Sequence, residues 1–473
     1  MSSQKKYDLA IIGAGAAGLS IAAVAAPLGL KVVVIEENKM GGECLNSGCI
    51  PSKSFIAAAK TAHTFLTAES FGIAATTPQV HFNKVMEQVN AVIQTIAPHD
   101  SVERFTQLGA EVIHASAQFI DANTLIAGDA TIKARQFVIA TGSAAAIPPI
   151  CGLNQVNYFT NETIFQLREK PSHLIVIGGG PIGCELAQAF LLLGVKVTLL
   201  EALHVLPRDE PELVAILQQQ LQQQGLQLHE NVSVVDVKEI NKNLEITIEK
   251  NNCKEMITGS HLLIATGRQA NIKSLHLEKA GITFTNKNII VDKRLRTTNK
   301  KVYAIGDVVG PYQFTHMANY QASIVIKNAI FKIPAQVNYD AVPWVTYTTP
   351  ELAHVGPTTA EILKKDATVK IIMVALAEND RAQTERETIG KIKITTTAKG
   401  KILNATILAP HAGELILPWV MLMKDKKNLR QLTELIIPYP TLNEISKRVA
   451  SEFYRPALFS SAVRRIVNVL KYI

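Results

Sequence analysis

The chain writes one short passage twice, 165 positions apart, and that repeat restricts its fold more than any other feature. The first copy is an apolar strand, Asp8-Leu9-Ala10-Ile11-Ile12, then Gly13-Ala14-Gly15-Ala16-Ala17-Gly18. An Ala-rich helix follows to about Leu28, Gly29 stops it, and a strand from Lys31 to Ile35 closes on Glu36. The second copy is Leu174-Ile175-Val176-Ile177, Gly178-Gly179-Gly180-Pro181-Ile182-Gly183, a helix to Leu193, Gly194, and a strand ending at Glu201. A single G-x-G-x-x-G is weak evidence. Two in register, each in its strand, turn, helix and strand context and each closing on an acid, specify two dinucleotide sites. Gly13, Gly15, Gly18 and Gly178, Gly180, Gly183 permit the tight turn and let the backbone approach a pyrophosphate at the positive end of each helix. Glu36 is placed to accept from an adenosine ribose.

Weaker signals recur after each copy. Val138-Ile139-Ala140-Thr141-Gly142-Ser143 and Leu263-Ile264-Ala265-Thr266-Gly267-Arg268 are apolar strands ending in Ala-Thr-Gly, each expected to return the chain to its nucleotide site. Val302-Tyr303-Ala304-Ile305-Gly306-Asp307 ends another strand on an acid suited to accept from a polyol hydroxyl. Alone, each could be an ordinary turn.

Between the copies lies Gly41-Gly42-Glu43-Cys44-Leu45-Asn46-Ser47-Gly48-Cys49-Ile50-Pro51-Ser52-Lys53. Disulfide Cα atoms lie about 4.4–6.8 Å apart, whereas five residues of regular helix rise roughly 7.5 Å. A cycling thiol pair here needs a bend, and Gly48 with Pro51 supplies the means. Two free cysteines or a structural disulfide are the bland alternatives, and the nucleotide folds favour redox chemistry over both. Five cysteines in 473 residues make no disulfide framework, so a reducing cytosol is expected, with Cys151, Cys184 and Cys253 as small apolar fillers.

The net charge of +8 is spread along the chain without a long basic run or basic–aromatic interleaving, which argues against nucleic acid. Lys5, Lys6 and the apolar run from Leu9 to Ala26 imitate a secretory signal, but glycines interrupt the run and Asp8 precedes it. No segment reaches the roughly 18 uninterrupted apolar residues of a membrane helix.

Taken together, these residues resemble the flavoprotein disulfide reductases, the family of lipoamide dehydrogenase, glutathione reductase and mercuric reductase, over nearly the whole chain. The resemblance implies an α/β protein with two Rossmann-like domains and a C-terminal α+β dimerisation domain. Residues 1–150 and 276–342 would bind FAD, 151–275 the nicotinamide cofactor, and 343–473 would form the dimer. Val342-Pro343-Trp344-Val345-Thr346-Tyr347-Thr348-Thr349-Pro350-Glu351 resembles the opening strand of that last domain.

By the same resemblance Cys49 would be the charge-transfer thiol against the flavin and Cys44 the interchange thiol that meets the acceptor. Lys53 would lie by the flavin N5 with Glu185 as its acidic partner. Asp307 would hold the ribityl chain, and Gly42, Thr141, Gly142 and Gly267 would line the cofactor sites. Glu201 favours a free 2′-hydroxyl and repels a 2′-phosphate, so NADH is expected over NADPH, with Arg208 as a feature that softens the preference.

The chain departs from the pattern near its end. Lipoamide and glutathione reductases carry His-Pro-Thr-x-x-Glu there, whereas this chain has Tyr439-Pro440-Thr441-Leu442-Asn443-Glu444. A phenol with a reference pKa near 10 is a poor proton shuttle at neutral pH beside imidazole near 6.5. Tyr439 either binds a substrate or fills space. Tyrosine there, and Tyr312-Gln313-Phe314-Thr315-His316-Met317-Ala318-Asn319-Tyr320-Gln321-Ala322, resemble mercuric reductases. Those enzymes also carry a C-terminal cysteine pair; here the last cysteine is Cys253, and no metal-binding module is expected ahead of Tyr7. Soft-metal capture would then fall to Cys44 and Cys49, with no resident metal site.

The expected function is an FAD-dependent NAD(P)H reductase working through a Cys44–Cys49 disulfide, mercuric reductase-like, with dihydrolipoyl dehydrogenase as the alternative and a non-catalytic redox sensor as a further one. The acceptor would be a small molecule or metal ion. A cytoplasmic homodimer is expected, because Tyr439 and Glu444 would reach Cys44 only from the partner chain. The tail carries Val463, Ile466, Val467 and Leu470 on one helical face, flanked by Arg464, Arg465 and Lys471. It is read as a helix packed on its own dimer, with peripheral membrane contact as the alternative.

Overall fold

Val32–Glu36 is β-branched and apolar until its last residue and is buried along its whole length, which is how a central parallel strand reads. In the computed structural model, which describes residues 5–473, this strand lies between Lys5–Ile12 and Ala110–His114, parallel to both. The start of the short lead ahead of Tyr7 lies outside the described residues. On its other side Lys5–Ile12 pairs in parallel with Ala130–Ile139. That long strand shares its outer edge. Its beginning pairs antiparallel with Thr124–Ala127, which pairs in turn with Ala117–Asp121, and its end takes Val302–Ala304 in parallel. The first sheet is therefore completed only after the chain has built the second.

The second sheet has four parallel strands in the order Gln227–Glu230, Lys196–Glu201, His173–Ile177, His261–Ile264. An antiparallel ribbon, Ser233–Ile240, Asn243–Lys250 and Cys253–Gly259, accompanies it. The third sheet is antiparallel, from Pro343–Thr346 through Glu351–Val355, Ile402–Ala409 and Lys391–Thr396 to Lys370–Ala375. Its core gathers Ile392, Ile394, Ile407 and Trp419 against Val449 of the helix Glu444–Leu458. The α/β class expected from sequence is what the chain adopts.

The 165-residue repeat persists in atomic detail. Helix Ala16–Ala25 ends with Gly29 N–H on Ala26 O (2.9 Å) and Leu30 N–H on Ala25 O (3.3 Å). Helix Pro181–Leu192 ends with Gly194 N–H on Leu191 O (2.9 Å) and Val195 N–H on Phe190 O (3.1 Å). Gly29 and Gly194 take φ of +83° and +81°, the left-handed turn that only glycine adopts cheaply.

One feature adds to the sequence reading and one differs from it. Each Ala-Thr-Gly exit returns to its own glycine turn, Ala140 against Gly13 and Ala265 against Gly178, and the exits also join: Ser143–Ala145 pairs antiparallel with Arg268–Ala270, so the two segments form one linkage between the nucleotide folds. Thr141 Oγ1 donates to Asn271 O (2.7 Å) and Thr266 Oγ1 to Ala146 O (2.8 Å), tying it from both sides. Of the three cysteines read as fillers, only Cys184 is buried. Cys253 opens the solvated outer strand of the ribbon, and Cys151 lies exposed at an isolated bridge to Asp236.

Candidate active site

The segment holding the cysteines is two helices, Gly42–Asn46 and Cys49–Thr67, broken at Ser47 and Gly48. A side chain at Gly48 would press on Glu43 O (3.0 Å) and Cys44 Cα (3.3 Å), so glycine lets the second helix start against the first. Pro51 sits in the first turn of the second helix, where its missing N–H costs nothing. The break brings the two sulfurs into hydrogen-bond contact as free thiols, Cys44 half-buried and Cys49 exposed.

That contact makes the pair unequal. The Cys44 hydrogen bond is the largest influence on Cys49, holding its thiol at about 6; Thr315 and the Lys53 charge add to it, against partial burial and the Glu185 carboxylate. Thr315 Oγ1 stands 3.4 Å from Cys49 Sγ. The same contact, with burial, pushes the Cys44 thiol far up. At neutral pH Cys49 is the thiolate and Cys44 its proton donor.

One turn along the helix, Lys53 Nζ donates to Glu185 Oε2 at 2.8 Å. Burial works against the Lys53 charge, yet the Glu185 carboxylate overrides it and raises the pKa. Glu185 is itself buried, and its other oxygen accepts from Tyr347 N–H (2.9 Å). The Tyr347 ring lies under Lys53, its centroid 4.4 Å from Nζ. Three distant stretches of chain thus fix one ammonium.

On the other flank, Glu43 receives both Arg268 Nη atoms and accepts from Asn161 Nδ2 at 2.7 Å. Arg268 Nε donates to Ser143 Oγ (2.8 Å), and Ser143 Oγ donates to Asp307 Oδ2 (2.6 Å). This network joins the residue before Cys44 to the linkage between the nucleotide folds and to Asp307. Thr315, Tyr347, Glu43, Arg268, Asn161 and Ser143 had no assigned role in the sequence reading. Arg268 and Ser143 stood next to the Ala-Thr-Gly signals, but nothing local pointed to their partners.

The two nucleotide turns are built alike. Glu36 accepts from Ala14 N–H (2.7 Å) and Asn38 N–H (2.8 Å); Glu201 accepts from Gly179 N–H (2.6 Å) and Leu203 N–H (2.8 Å). Each carboxylate oxygen retains acceptor capacity for a ribose hydroxyl. Gly13 and Gly178 take φ of +104° and +113°, and a Cβ at either would collide with Ala140 O or Ala265 O. Gly18 and Gly183 face Gly13 O and Gly178 O with the same lack of room. By contrast, a Cβ at Gly15 would meet nothing nearer than Gly42 Cα at 3.8 Å, and one at Gly180 nothing within 4 Å. Both helices begin at glycines without a side-chain cap, leaving their N–H groups for an anion. Gly142 and Gly267 (φ +67° and +139°) also open onto free space. Each turn thus fits the pyrophosphate and ribose of a dinucleotide.

Arg208 is engaged elsewhere, its guanidinium 5.8 Å from the Tyr312 ring centroid and 5.5 Å from that of Trp344. Tyr439 is exposed and donates to Asp380 Oδ2 (3.0 Å), a bond that raises its phenol pKa further. Glu444 starts the helix Glu444–Leu458. Among the described residues, no hydrogen bond or ion pair links Tyr439 or Glu444 to Cys44, Cys49, Lys53 or Glu185 within one chain.

Known proteins share this architecture. The family profile "Pyridine nucleotide-disulphide oxidoreductase" matches residues 7–322 and its dimerisation domain residues 342–450. The mercuric reductase of Streptomyces lividans is 34% identical over 455 residues, 94% of this chain and 96% of that protein. The dihydrolipoyl dehydrogenase of Geobacillus stearothermophilus is 33% identical, over 93% of this chain and 94% of that one. Among solved structures, a Cu(II) complex of the HOCl-induced flavoprotein disulfide reductase RclA from Escherichia coli superposes with a TM-score of 0.85 at 27% identity, covering 95% of this chain and 99% of that one.

Proposed function

From membership of the pyridine nucleotide-disulphide oxidoreductase family, to which this chain belongs, we propose an NADH-linked reductase that delivers electrons from its cysteine pair to a soft metal ion. The chain is an enzyme of FAD and nicotinamide chemistry, and its dimerisation domain supports a homodimer. The observation that carries the reading is the unequal dithiol, with Cys49 at about 6 in contact with Cys44 and one turn from the Lys53–Glu185 pair.

FAD would be held by residues 1–150 and 276–342, through the turn at Gly13, Gly15 and Gly18, with Glu36, Gly42, Thr141, Gly142 and Asp307. The nicotinamide cofactor would be held by residues 151–275 at Gly178, Gly180, Gly183, Glu201 and Gly267, and residues 343–473 would form the dimer. Bound FAD supplies the two-electron relay between a nicotinamide hydride and a disulfide. Cys49, exposed and kept as thiolate, would be the sulfur that meets the bound flavin. Cys44, kept protonated by it, is the sulfur left to meet the acceptor. Lys53 is oriented by Glu185 and Tyr347 and keeps positive charge beside the Cys49 thiolate. Glu43 and Arg268 hold the first cysteine helix to the linkage between nucleotide folds.

NADH is favoured because the Glu201 carboxylate, held at the end of its strand by Gly179 and Leu203, would repel a 2′-phosphate, and because Arg208 lies against the Tyr312 and Trp344 rings. The acceptor follows from Tyr439. A tyrosine whose pKa is pushed up by Asp380 cannot exchange a proton at neutral pH as dithiol substrates require, whereas a thiophilic metal binds thiolates directly. Tyr439 and Glu444 would act from the partner chain, in the cytoplasm.

Anaerobic reduction by NADH and by NADPH, followed by mercuric ion, cupric ion, lipoamide, glutathione disulfide or hypochlorous acid, tests the whole reading. Fast reduction by NADH with reoxidation by the metals is expected. Turnover of lipoamide at rates matching or exceeding the metals would replace this assignment with dihydrolipoyl dehydrogenase.

A further inference from the structure

The last helix, Ser461–Leu470, buries none of its residues. Its fold-mate Glu444–Leu458 shows what a packed amphipathic helix looks like in this protein, with Ile445, Val449, Ala450 and Phe453 all inside the core. In the last helix Ile466, Val467, Val469 and Leu470 are instead 57%, 55%, 66% and 56% exposed. At about 100° per residue these four and Val463 fall within an arc of roughly 160°. Arg464, Arg465, Asn468 and Lys471 occupy the opposite arc. Ser460 caps the helix through Val463 N–H, and Phe459 and Tyr472 flank it, 59% and 83% exposed. No acid occurs from Phe459 to Ile473. Among the described residues, no ion pair or side-chain hydrogen bond ties Arg464, Arg465 or Lys471 to the rest of the chain.

The geometry points to an anionic bilayer surface as the partner of this helix, which would lie in the interface with its apolar arc in the acyl boundary and its cations among lipid phosphates. Charge complementarity names the occupant: the arc opposite the apolar one carries Arg464, Arg465 and Lys471 with no acid from Phe459 to Ile473, which matches an anionic leaflet. The helix also lies beyond residues 342–450, the span that matches the dimerisation domain. Aromatic residues at both ends suit the headgroup level. No helix among the described residues is long and apolar enough to cross a membrane, so the contact is peripheral. One helix of ten residues binds weakly by itself, and two per dimer raise the effective affinity by multivalency.

The test is co-sedimentation of the full-length FAD-loaded protein with phosphatidylglycerol-containing and with pure phosphatidylcholine vesicles, alongside its dimer mass and its NADH oxidation rate in solution. We expect binding to the anionic vesicles only, lost when salt is raised to about 1 M, where the Debye length is ~3 Å. Arg464→Glu with Arg465→Glu should weaken partitioning on the order of 25-fold or more, at roughly fivefold per basic residue. Ile466→Glu with Leu470→Glu should abolish it while dimer mass and NADH oxidation stay unchanged. Absence of binding to either vesicle, or binding indifferent to both double substitutions, overturns the proposal. A loss of dimer mass in the Ile466→Glu, Leu470→Glu protein also overturns it, by assigning the face to a second copy of the chain. None of these readouts depends on the electron acceptor, so the two readings fail separately.

Discussion

Replacing Cys44 by alanine removes the hydrogen bond that does most to keep Cys49 ionised. With Cys49 at about 6, roughly nine in ten molecules carry the thiolate at pH 7. A cysteine near its reference value of about 8.5 would carry it in only ~3%. Cys49 is open to solvent, and water screens part of that difference. We therefore expect Cys44→Ala to raise the Cys49 pKa by at least about one unit, a tenfold change in the ionisation constant that takes the thiolate from roughly nine in ten to about half at pH 7. Thr315→Val should return less, and Lys53→Met least, in the order of their influence on the thiol. The sign follows from a pKa depressed in the folded protein: the thiolate, and any step needing it, is present above about 6 and lost as pH falls through it. The acid limb of dithiol reactivity should thus lie near 6. The assay is peptide-resolved alkylation of the anaerobically reduced protein across pH, because Cys151 and Cys253 are exposed as well. A Cys44→Ala protein that keeps its midpoint near 6, or a Lys53→Met shift larger than that of Cys44→Ala, would refute this account of the asymmetry.

Glu201→Ala should cut the NADH-over-NADPH preference in kcat/KM at least about tenfold, since the carboxylate oriented by Gly179 and Leu203 would be gone; steady-state kinetics with both cofactors decides it. Lys393 is almost fully buried, with Nζ 2.7 Å from Glu210 and 2.8 Å from Glu212, and Glu210 is equally buried. Lys393→Met should cost about 3–5 kcal/mol in denaturant unfolding by stranding Glu210, and adding Glu210→Gln should recover much of it. Asp209 is buried against Trp344, its carboxyl bonded to Nε1 at 2.8 Å, and burial raises its pKa to about 6. A raised carboxyl pKa favours the folded state at acid pH, so stability should fall by up to about 3 kcal/mol as pH rises from about 4 to 6. Asp209→Asn should flatten that slope in thermal melts taken across this range.

The sequence by itself determined both nucleotide folds, their equivalence and the bend between the cysteines, because each depends on local stereochemistry. Gly13 and Gly178 must adopt positive φ beside a carbonyl, Gly29 and Gly194 must turn left-handed, and no other residue does either cheaply. Such constraints leave their mark within a few positions, so a repeat read from glycines reappears as matching hydrogen bonds in the structure. Tertiary structure alone decided what surrounds the sulfurs. Lys53 meets Glu185 across 132 positions, Cys49 meets Thr315 across 266, and Glu43 meets Arg268 across 225. Hydrogen bonds and ion pairs between side chains so distant carry no periodicity, and Thr315 and Lys53 add to the pKa difference that the Cys44–Cys49 contact itself sets up. The same limit applied at the tail. Amphipathicity was visible in the order of residues, but that the apolar arc lies outside the chain's own core was not, because the core ends at the preceding helix.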